Sequence, residues 1–360
     1  MKILSLYLRN FRNYEKVHLS FSSSVNYLVG ANAQGKTNLL EAIHLAITGR
    51  SFRTHRLTDM IRFGEKEFFV EILFEKNGIE QKLSLYYDGQ TRRITHNATL
   101  LPSLSALFGL LQGVILSPED QQLVGGGPTE RRRFLDMQIA QSYPLYFHHL
   151  VRYQRAMKHR NTLLKRKTLQ GIEVYEEEMS HSAAYLTLKR KEATEELQTL
   201  GGPLQQALSG NRDELTLTYH SSALAKVKPE ESCLRTYFQN AYTQKRHREK
   251  ELGNTLTGPH RDDLAILVAN QEARFFGSEG QKRSCITALR LAEWSRLHKL
   301  GEEKPLMCID DVGISLDATR GAYLYQQMES LGQVFLTSPR LEQNLPSHTH
   351  VLHVSEGDIL

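Results

Sequence analysis

Cysteine is scarce in this sequence. Three residues in 360, Cys233, Cys285 and Cys308, lie far apart with no C-x-x-C spacing. That argues against a disulfide framework or a zinc site and favours a reducing compartment. Long apolar runs are also missing. The most hydrophobic stretch, LLPSLSALFGLLQGVIL at 100–116, falls short of the ~20 residues of a membrane span and is interrupted by Pro102 and Gln112. The first residues, MKILSLYLRNFRNYE, alternate and carry charge early, unlike a secretory leader. No period of 20–50 residues recurs, which excludes a solenoid or propeller. The expectation is a cytoplasmic protein with no membrane partner.

What is present is ordinary globular composition, 40% hydrophobic and 24% charged, enough for one large or two modest domains. The net charge of +5 suits a polyanionic partner without requiring one. The chain reads β-rich, then helical, then α/β. Ile3 to Leu8 and Val17 to Phe21 suggest strands. Phe68, Val70, Ile72 and Phe74 alternate up to a turn at Asn77-Gly78, and Leu83, Leu85 and Tyr87 alternate up to another at Asp88-Gly89. From Pro128 to Leu200 the spacing is helical, with Leu150, Tyr153 and Met157 on one face, and Gly201-Gly202-Pro203 is expected to break it. ELTLTYH, a segment from Leu264 and PLMCID suggest later strands. The simplest arrangement joins the two chain ends in one domain and inserts the helical middle as a second lobe.

The segment Gly30-Ala31-Asn32-Ala33-Gln34-Gly35-Lys36-Thr37 fits GxxxxGK[ST] without a gap. A triphosphate needs backbone N–H groups converging from a tight loop, and the following helix presents its positive end to the anion. Lys36 would reach the β- and γ-phosphates, Thr37 would ligate Mg²⁺, and Asn38 follows in the same first turn. The apolar YLV precedes as a strand. Leu39, Leu40, Ile43 and Ile47 follow at helical spacing, with Gly49 as C-cap. A nucleotide-hydrolysing site of this kind also uses a carboxylate at the end of an apolar strand. LMCIDD supplies Asp310 to bind Mg²⁺ and Asp311 to polarise the attacking water. Without the loop, such an acidic pair would read as a turn cap.

Ser278-Glu279-Gly280-Gln281 narrows the class. Ser278 and Gln281 form a capping box opening a helix through Ile286, Leu289 and Trp294. The same Ser-x-Gly-Gln start resembles the signature of ABC-type ATPases. There the serine and glycine bind the γ-phosphate held by another subunit's phosphate loop. A capped helix start is itself an anion site, so the two readings are compatible.

The ordered set LRNFRNYE (8–15), GANAQGKTNLLEAI (30–43), SPED (117–120), GGPTERRRFLD (126–136), KHRNTLLK (158–165), TGPHRDDL (257–264), GSEGQKRS (277–284) and CIDDVGISLD (308–317) resembles the RecF family of bacterial recombination-repair ATPases nearly end to end. The resemblance implies an α/β fold: a P-loop ABC/SMC-like ATPase head with an antiparallel β subdomain and an inserted helical second lobe. The head would comprise 1–120 and 255–360, and the insertion 121–254. It implies ATP and Mg²⁺ as cofactors, an ATP-dependent homodimer, weak DNA-stimulated ATPase activity, and binding of duplex DNA at ssDNA–dsDNA junctions. RecR, with RecO, would be the partner in recombinase loading, replication restart and the SOS response. Carried over by position, Lys36 and Thr37 match the Walker A lysine and threonine, Asp310 and Asp311 the Walker B pair, and Ser278, Gly280 and Gln281 the signature. Arg12 and Asn13 fall where SMC-like heads touch nucleotide, although an arginine there also reads as a surface residue. SPED falls at the γ-phosphate-sensing loop, and Thr337 at the position where transporters carry histidine. Two segments depart from the family pattern: Ile314-Ser315 in place of Ser-Glu, and Gln121 in place of leucine.

For DNA the candidates are Arg131, Arg132, Arg133, Arg152, Arg155, Lys158, Arg160, Lys165, Arg166 and Lys167. These cations spread around a helix, with Glu173, Glu176, Glu177 and Glu178 nearby as partners, and read equally as a solvated face. Two rivals stay open. A transporter ATPase subunit would need a switch histidine and no basic helical insertion. A small-molecule kinase would need no signature serine.

Overall fold

The computed structural model describes residues 1–360 except 23, 312–317, 329, 342–344, 346–347 and 360. The segment Ile314-Ser315-Leu316-Asp317 therefore lies outside the described residues. The chain opens with β1 (Lys2–Phe11), β2 (Tyr14–Ser20) and β3 (Val25–Val29), then α1 (Lys36–Thr48). The strands β4 (Phe68–Lys76), β5 (Ile79–Tyr87), β6 (Arg92–His96) and β7 (Thr99–Leu100) complete an antiparallel sheet in the order β2-β1-β4-β5-β6-β7. The Asn77-Gly78 turn joins β4 to β5 with Lys76 opposite Ile79. Phe68, Val70, Ile72 and Phe74 are all buried, so the alternation read from the sequence sets the inward face of this sheet.

Next come β8 (Gly113–Leu116), α2 (Gln121–Gly125), α3 (Pro128–Ser142), α4 (Pro144–Lys165), α5 (Ile172–Ser209), β9 (Leu215–His220) and α6 (Glu231–Leu252). The chain continues through β10 (Asp263–Val268), β11 (Gln271–Glu272), α7 (Ala273–Phe276), α8 (Glu279–Leu300) and β12 (Leu306–Ile309). It finishes with α9 (Ala318–Met328), β13 (Val334–Ser338), β14 (His350–Ser355) and β15 (Asp358–Ile359). A second sheet has the order β15-β14-β3-β13-β12-β8, with β14 to β8 mutually parallel. The strands β3, β13, β12 and β8 are buried on both faces, as parallel strands covered on both sides must be. On one face Leu28, Ile115, Cys308 and Phe335 pack with Leu39, Leu40, Ile43 and Ile47 of α1 and with the antiparallel sheet. On the other, Tyr27, Leu116, Ile309 and Leu336 join a core that runs on into α3, α4, α5 and α8.

Gly201-Gly202-Pro203 does not end the long helix. α5 continues through it to Ser209 and is capped by Gly210. Gly201 is buried, and a Cβ there would lie 3.2 Å from Leu215 and 3.6 Å from Ala292. The glycine lets α5 approach β9 and α8, and packing overrides the local breakers. The helix α6 gave no expectation from the sequence. Its apolar stripe, Leu234, Phe238, Ala241 and Tyr242, is short and diluted by charge, yet all four are buried.

Three of the ten candidate cations, Arg131, Arg152 and Arg160, are paired with carboxylates. Arg160 is fully buried and ion-pairs with Glu176 at 3.0 Å and Glu249 at 2.7 Å. Arg131 is buried against Asp263 at 2.8 Å. These two leave the set of candidate phosphate contacts: each is taken into the core by its partner. Arg152 pairs with Glu178. The motifs 126–136 and 257–264 bind one another, through Arg131 to Asp263 and Arg132 to the Asp262 carbonyl at 2.9 Å. Arg190 completes the seam, holding both Asp136 and the Pro259 carbonyl.

Candidate functional site

The loop 30–37 connects β3 to α1 at the carboxyl end of the parallel strands. Gly30 is required by close approach, since a Cβ there would lie 2.1 Å from the Val354 carbonyl oxygen of β14. Gly35 caps α1 at φ 117°, a conformation that side chains resist. Ala33 also sits at positive φ, 66°, and so carries strain. Ala31, Asn32 and Ala33 are exposed at the rim of the loop. Lys36 is buried, and its ammonium donates to the carbonyls of Gly30 at 2.7 Å and Ala31 at 2.8 Å. Burial pulls its pKa down, opposed by Asp311 and Asp310.

Strand β12 brings its acidic end to this loop. Thr37 Oγ1 donates to both carboxylate oxygens of Asp310, at 2.9 and 3.0 Å. Thr337 Oγ1, at the end of β13, donates to Asp310 at 2.6 Å and accepts the Asp311 backbone N–H at 2.8 Å. Burial raises the Asp310 pKa, while the hydroxyls of Thr337 and Thr37 lower it. One threonine thus holds the Asp310 carboxylate and the Asp311 backbone, and the positive φ of Asp311, 56°, turns the chain there.

The donor set fits a hard divalent cation. A threonine hydroxyl and a buried carboxylate touch one another beside a loop of convergent N–H groups, all oxygen and no sulfur or imidazole. Among the described residues no group of three or more His, Cys, Asp or Glu forms a metal cluster. The protein's own ligands for Mg²⁺ at this place would therefore be Thr37 and Asp310, with phosphate and water completing the shell.

The turn after β1 reaches the same loop. Asn13 Nδ2 donates to the Gln34 carbonyl at 2.9 Å, and Asn13 Oδ1 accepts from Asn38 Nδ2 at 2.7 Å. Arg12 instead lies against the flank of α1, forked onto the buried Glu41 at 2.6 and 2.7 Å, with a third bond to the Asp59 carbonyl at 2.6 Å. Glu41 was not singled out from the sequence; only its place on an otherwise apolar helix face could have marked it. The chain's last hairpin was also missed. The Gly357 N–H donates to the Gln34 carbonyl at 3.2 Å, and the Glu356 N–H donates to Gln34 Oε1 at 2.5 Å.

Ser278, Gly280 and Gln281 stand apart from this cluster. Ser278 caps α8 by accepting from the Gln281 N–H at 3.2 Å, Gln281 Oε1 accepts from the Ser278 N–H at 3.0 Å, and Gln281 Nε2 donates to Asp213 at 3.0 Å. The Gly280 carbonyl accepts from Ser284 within α8. Ser278 is exposed, so a capped helix start faces outward. The SPED segment forms a 3-10 turn with Ser117 and Asp120 in a capping box, and Gln121 after it is exposed. Asp120 is bound by Arg290 of α8, so this loop and the signature helix share a buried ion pair.

No helix among the described residues is long and apolar enough to cross a membrane. The family described as the RecF/RecN/SMC N terminal domain matches residues 2–355. A protein named DNA replication and repair protein RecF, from Protochlamydia amoebophila (strain UWE25), is 48% identical over 94% of each chain. One of the same name from Chlamydia abortus (strain DSM 27085 / S26/3) is 38% identical over 100% of this chain and 98% of that one. The fold is similar to a solved recombination mediator RecF with ATP, titled as part of the RecFOR pathway, at TM-score 0.92 and 31% identity over 99% of this chain and 96% of that one. It is also similar, in fold alone, to an Smc head at TM-score 0.57 and 17% identity. A P-loop α/β head with an antiparallel sheet and a helical insertion, matched along its whole length, shows that this chain belongs to the RecF family of ABC/SMC-like ATPases.

Proposed function

We propose that the protein is a nucleotide-switched DNA-binding ATPase of recombinational repair. The observation that carries the reading is the junction of Thr37, Asp310, Thr337 and Asp311 beside Lys36. Bound Mg²⁺·ATP would supply a phosphoanhydride whose developing charge the loop can stabilise. Lys36 is held by two carbonyls and is free to exchange them for phosphate oxygens. Thr37 and Asp310 would hold the cation, Asp311 would orient water, and the loop N–H groups from Gly30 to Asn38 would bind phosphate. Asn13 braces the loop at Gln34, and Arg12 acts on it through Glu41.

The exposed Ser278, with Gly280 and Gln281 beside it, would complete a second copy's site. ATP would then join two copies on duplex DNA near ssDNA–dsDNA junctions, and slow DNA-stimulated hydrolysis would release them. Of two lobes, 1–120 with 255–360 and 121–254, the first holds the Asp120–Arg290 contact, which would couple the loop at the lobe border to the signature helix. The relatives' names, DNA replication and repair protein and recombination mediator of the RecFOR pathway, support the repair role; work with RecR and RecO in recombinase loading, in replication restart and in the SOS response, in the cytoplasm, extends that reading.

The test is ATP hydrolysis with and without duplex DNA, with Lys36→Ala as the blank. Hydrolysis should rise with DNA and disappear with the lysine. Ser278→Arg should bind ATP yet stay monomeric by light scattering; an ATP-driven dimer of that variant would sink the two-copy site.

A further inference from the structure

Exposed cations without an acid partner among the described residues, such as Arg155 and Lys158, are spread along α4; a closer group gathers where α1 ends, around one cavity. A cavity of about 340 Å³ opens there between the loop after α1 and the helices α3 and α4, its walls including Arg50, His55, Arg132, Arg133 and Arg190. One carboxylate, Asp136, shares the wall, and Arg190 already holds it at 2.8 Å. The side chains of Arg50 and His55 are exposed and make no hydrogen bond or ion pair with another described residue. Arg133 donates only to the Ser51 carbonyl, at 3.1 Å, and Arg132 to the Asp262 carbonyl and the Thr129 hydroxyl. None of the four is paired to an acid. Burial, with Arg50 and Arg290 close by, pulls the Arg133 pKa down against Glu130.

Asp263, Asp136 and Asp262 act on Arg132 and Glu130 on Arg133 from nearby, but none is in ion-pair contact with them, and guanidinium groups gathered in this way favour an anion that joins them. The C-terminus of α1 does not supply it, because Arg92 already takes the Gly49 carbonyl at 2.9 Å. Nor is this the nucleotide site. Thirteen residues of α1 at a rise of about 1.5 Å put it roughly 20 Å from the phosphate loop. The cations stand on two separate elements, and Arg56 extends them along the exposed loop. A row of guanidinium groups of that kind suits successive phosphates better than one small ion.

We propose that Arg50, His55, Arg132 and Arg133 form a phosphodiester-binding site, at the end of α1 opposite the phosphate loop, that takes the backbone of duplex DNA. It rests on the DNA-binding reading above and places the contact where the loop after α1 meets α3, rather than along α4. Through α1, DNA at one end and phosphate at the other share a rigid element.

The experiment is binding of the full chain to a 30-base-pair duplex by fluorescence anisotropy, with ATP, from about 50 to 200 mM salt. Arg50→Ala should make the plot of log K against log salt shallower by about 0.9, and Arg50→Ala with Arg133→Gln by about 1.8. Arg50 is exposed, so the single variant tests the idea even if the double folds poorly. Arg152→Ala, on α4, should leave the slope unchanged. Binding of a fluorescent ATP analogue should be unaltered in all three. An unchanged slope for Arg50→Ala, beside a wild type that binds duplex, overturns the site and leaves the DNA reading standing. A wild type that binds no duplex overturns that reading, and the site with it. Loss of inorganic phosphate binding with duplex affinity intact would mean a free-anion site, and also overturns the proposal.

Discussion

Replacing Arg290 by methionine tests how the SPED loop is tied to the signature helix. Arg290 donates to Asp120 at 2.5 and 3.1 Å and to Glu293 at 2.6 Å, and its guanidinium lies 5.2 Å from the Phe134 ring centroid. Both acids are buried. Methionine fills the volume and strands two carboxylates, and breaking a buried pair in this way costs about 3–5 kcal/mol. At about 2.1 cal/mol/K per residue, 360 residues unfold with an entropy near ~0.76 kcal/mol/K, so Tm should fall by about 4–7 °C. The loss should depend on pH with a definite sign. Burial raises the Glu293 pKa in the folded protein, while Arg290 lowers it. Without Arg290 it rises further, and the folded state binds the extra proton. A raised folded pKa contributes stability below the unfolded value and loses it as pH rises through the folded one. The variant should therefore be closer to wild type at pH 5.5 than at pH 8. Scanning calorimetry at both values decides it. A drop of less than 2 °C at pH 8, or a larger drop at pH 5.5, would refute the reasoning.

Two smaller predictions concern the strand ends and α5. Thr337→Val leaves Asp310 and the Asp311 N–H short of a partner and should cost about 2–3 kcal/mol in urea melts; because the Asp310 pKa then climbs, the deficit should be larger at pH 8 than at pH 5.5. Pro203→Ala restores a helix N–H at an exposed position within α5 and should stabilise by about 1–3 kcal/mol; a neutral result would mean that the Gly201–Pro203 stretch is held wholly by its packing.

The local signals in the sequence were good guides where structure is locally determined. The two hairpin turns, the capping box at Ser278, the Gly49 cap and the apolar face of α1 all follow from short-range chemistry, and each is found. What escaped was set by distant partners. Gly201-Gly202-Pro203 has the composition of a breaker, yet burial against Leu215 and Ala292 keeps it helical. Arg131 and Arg160 look like surface cations until Asp263 and Glu249, more than eighty residues away, are brought to them. Glu356 and Gly357 carry no motif at all, and their grip on Gln34 depends on a strand order that no local pattern encodes.

That strand order has a consequence for how the protein is made. The strand leading into the phosphate loop, β3, is flanked by β13 and β14, so its neighbours are residues 334–338 and 350–353. At about 5–20 residues per second, a ribosome needs roughly 15–60 s after β3 before those neighbours exist. Throughout that interval the apolar strand waits without its parallel neighbours, although the antiparallel sheet that α1 packs against already exists for most of it. The segment most legible in the sequence is therefore among the last to acquire its structure. A nascent chain stalled short of residue 334 would carry the complete nucleotide motif but not the sheet that shapes it.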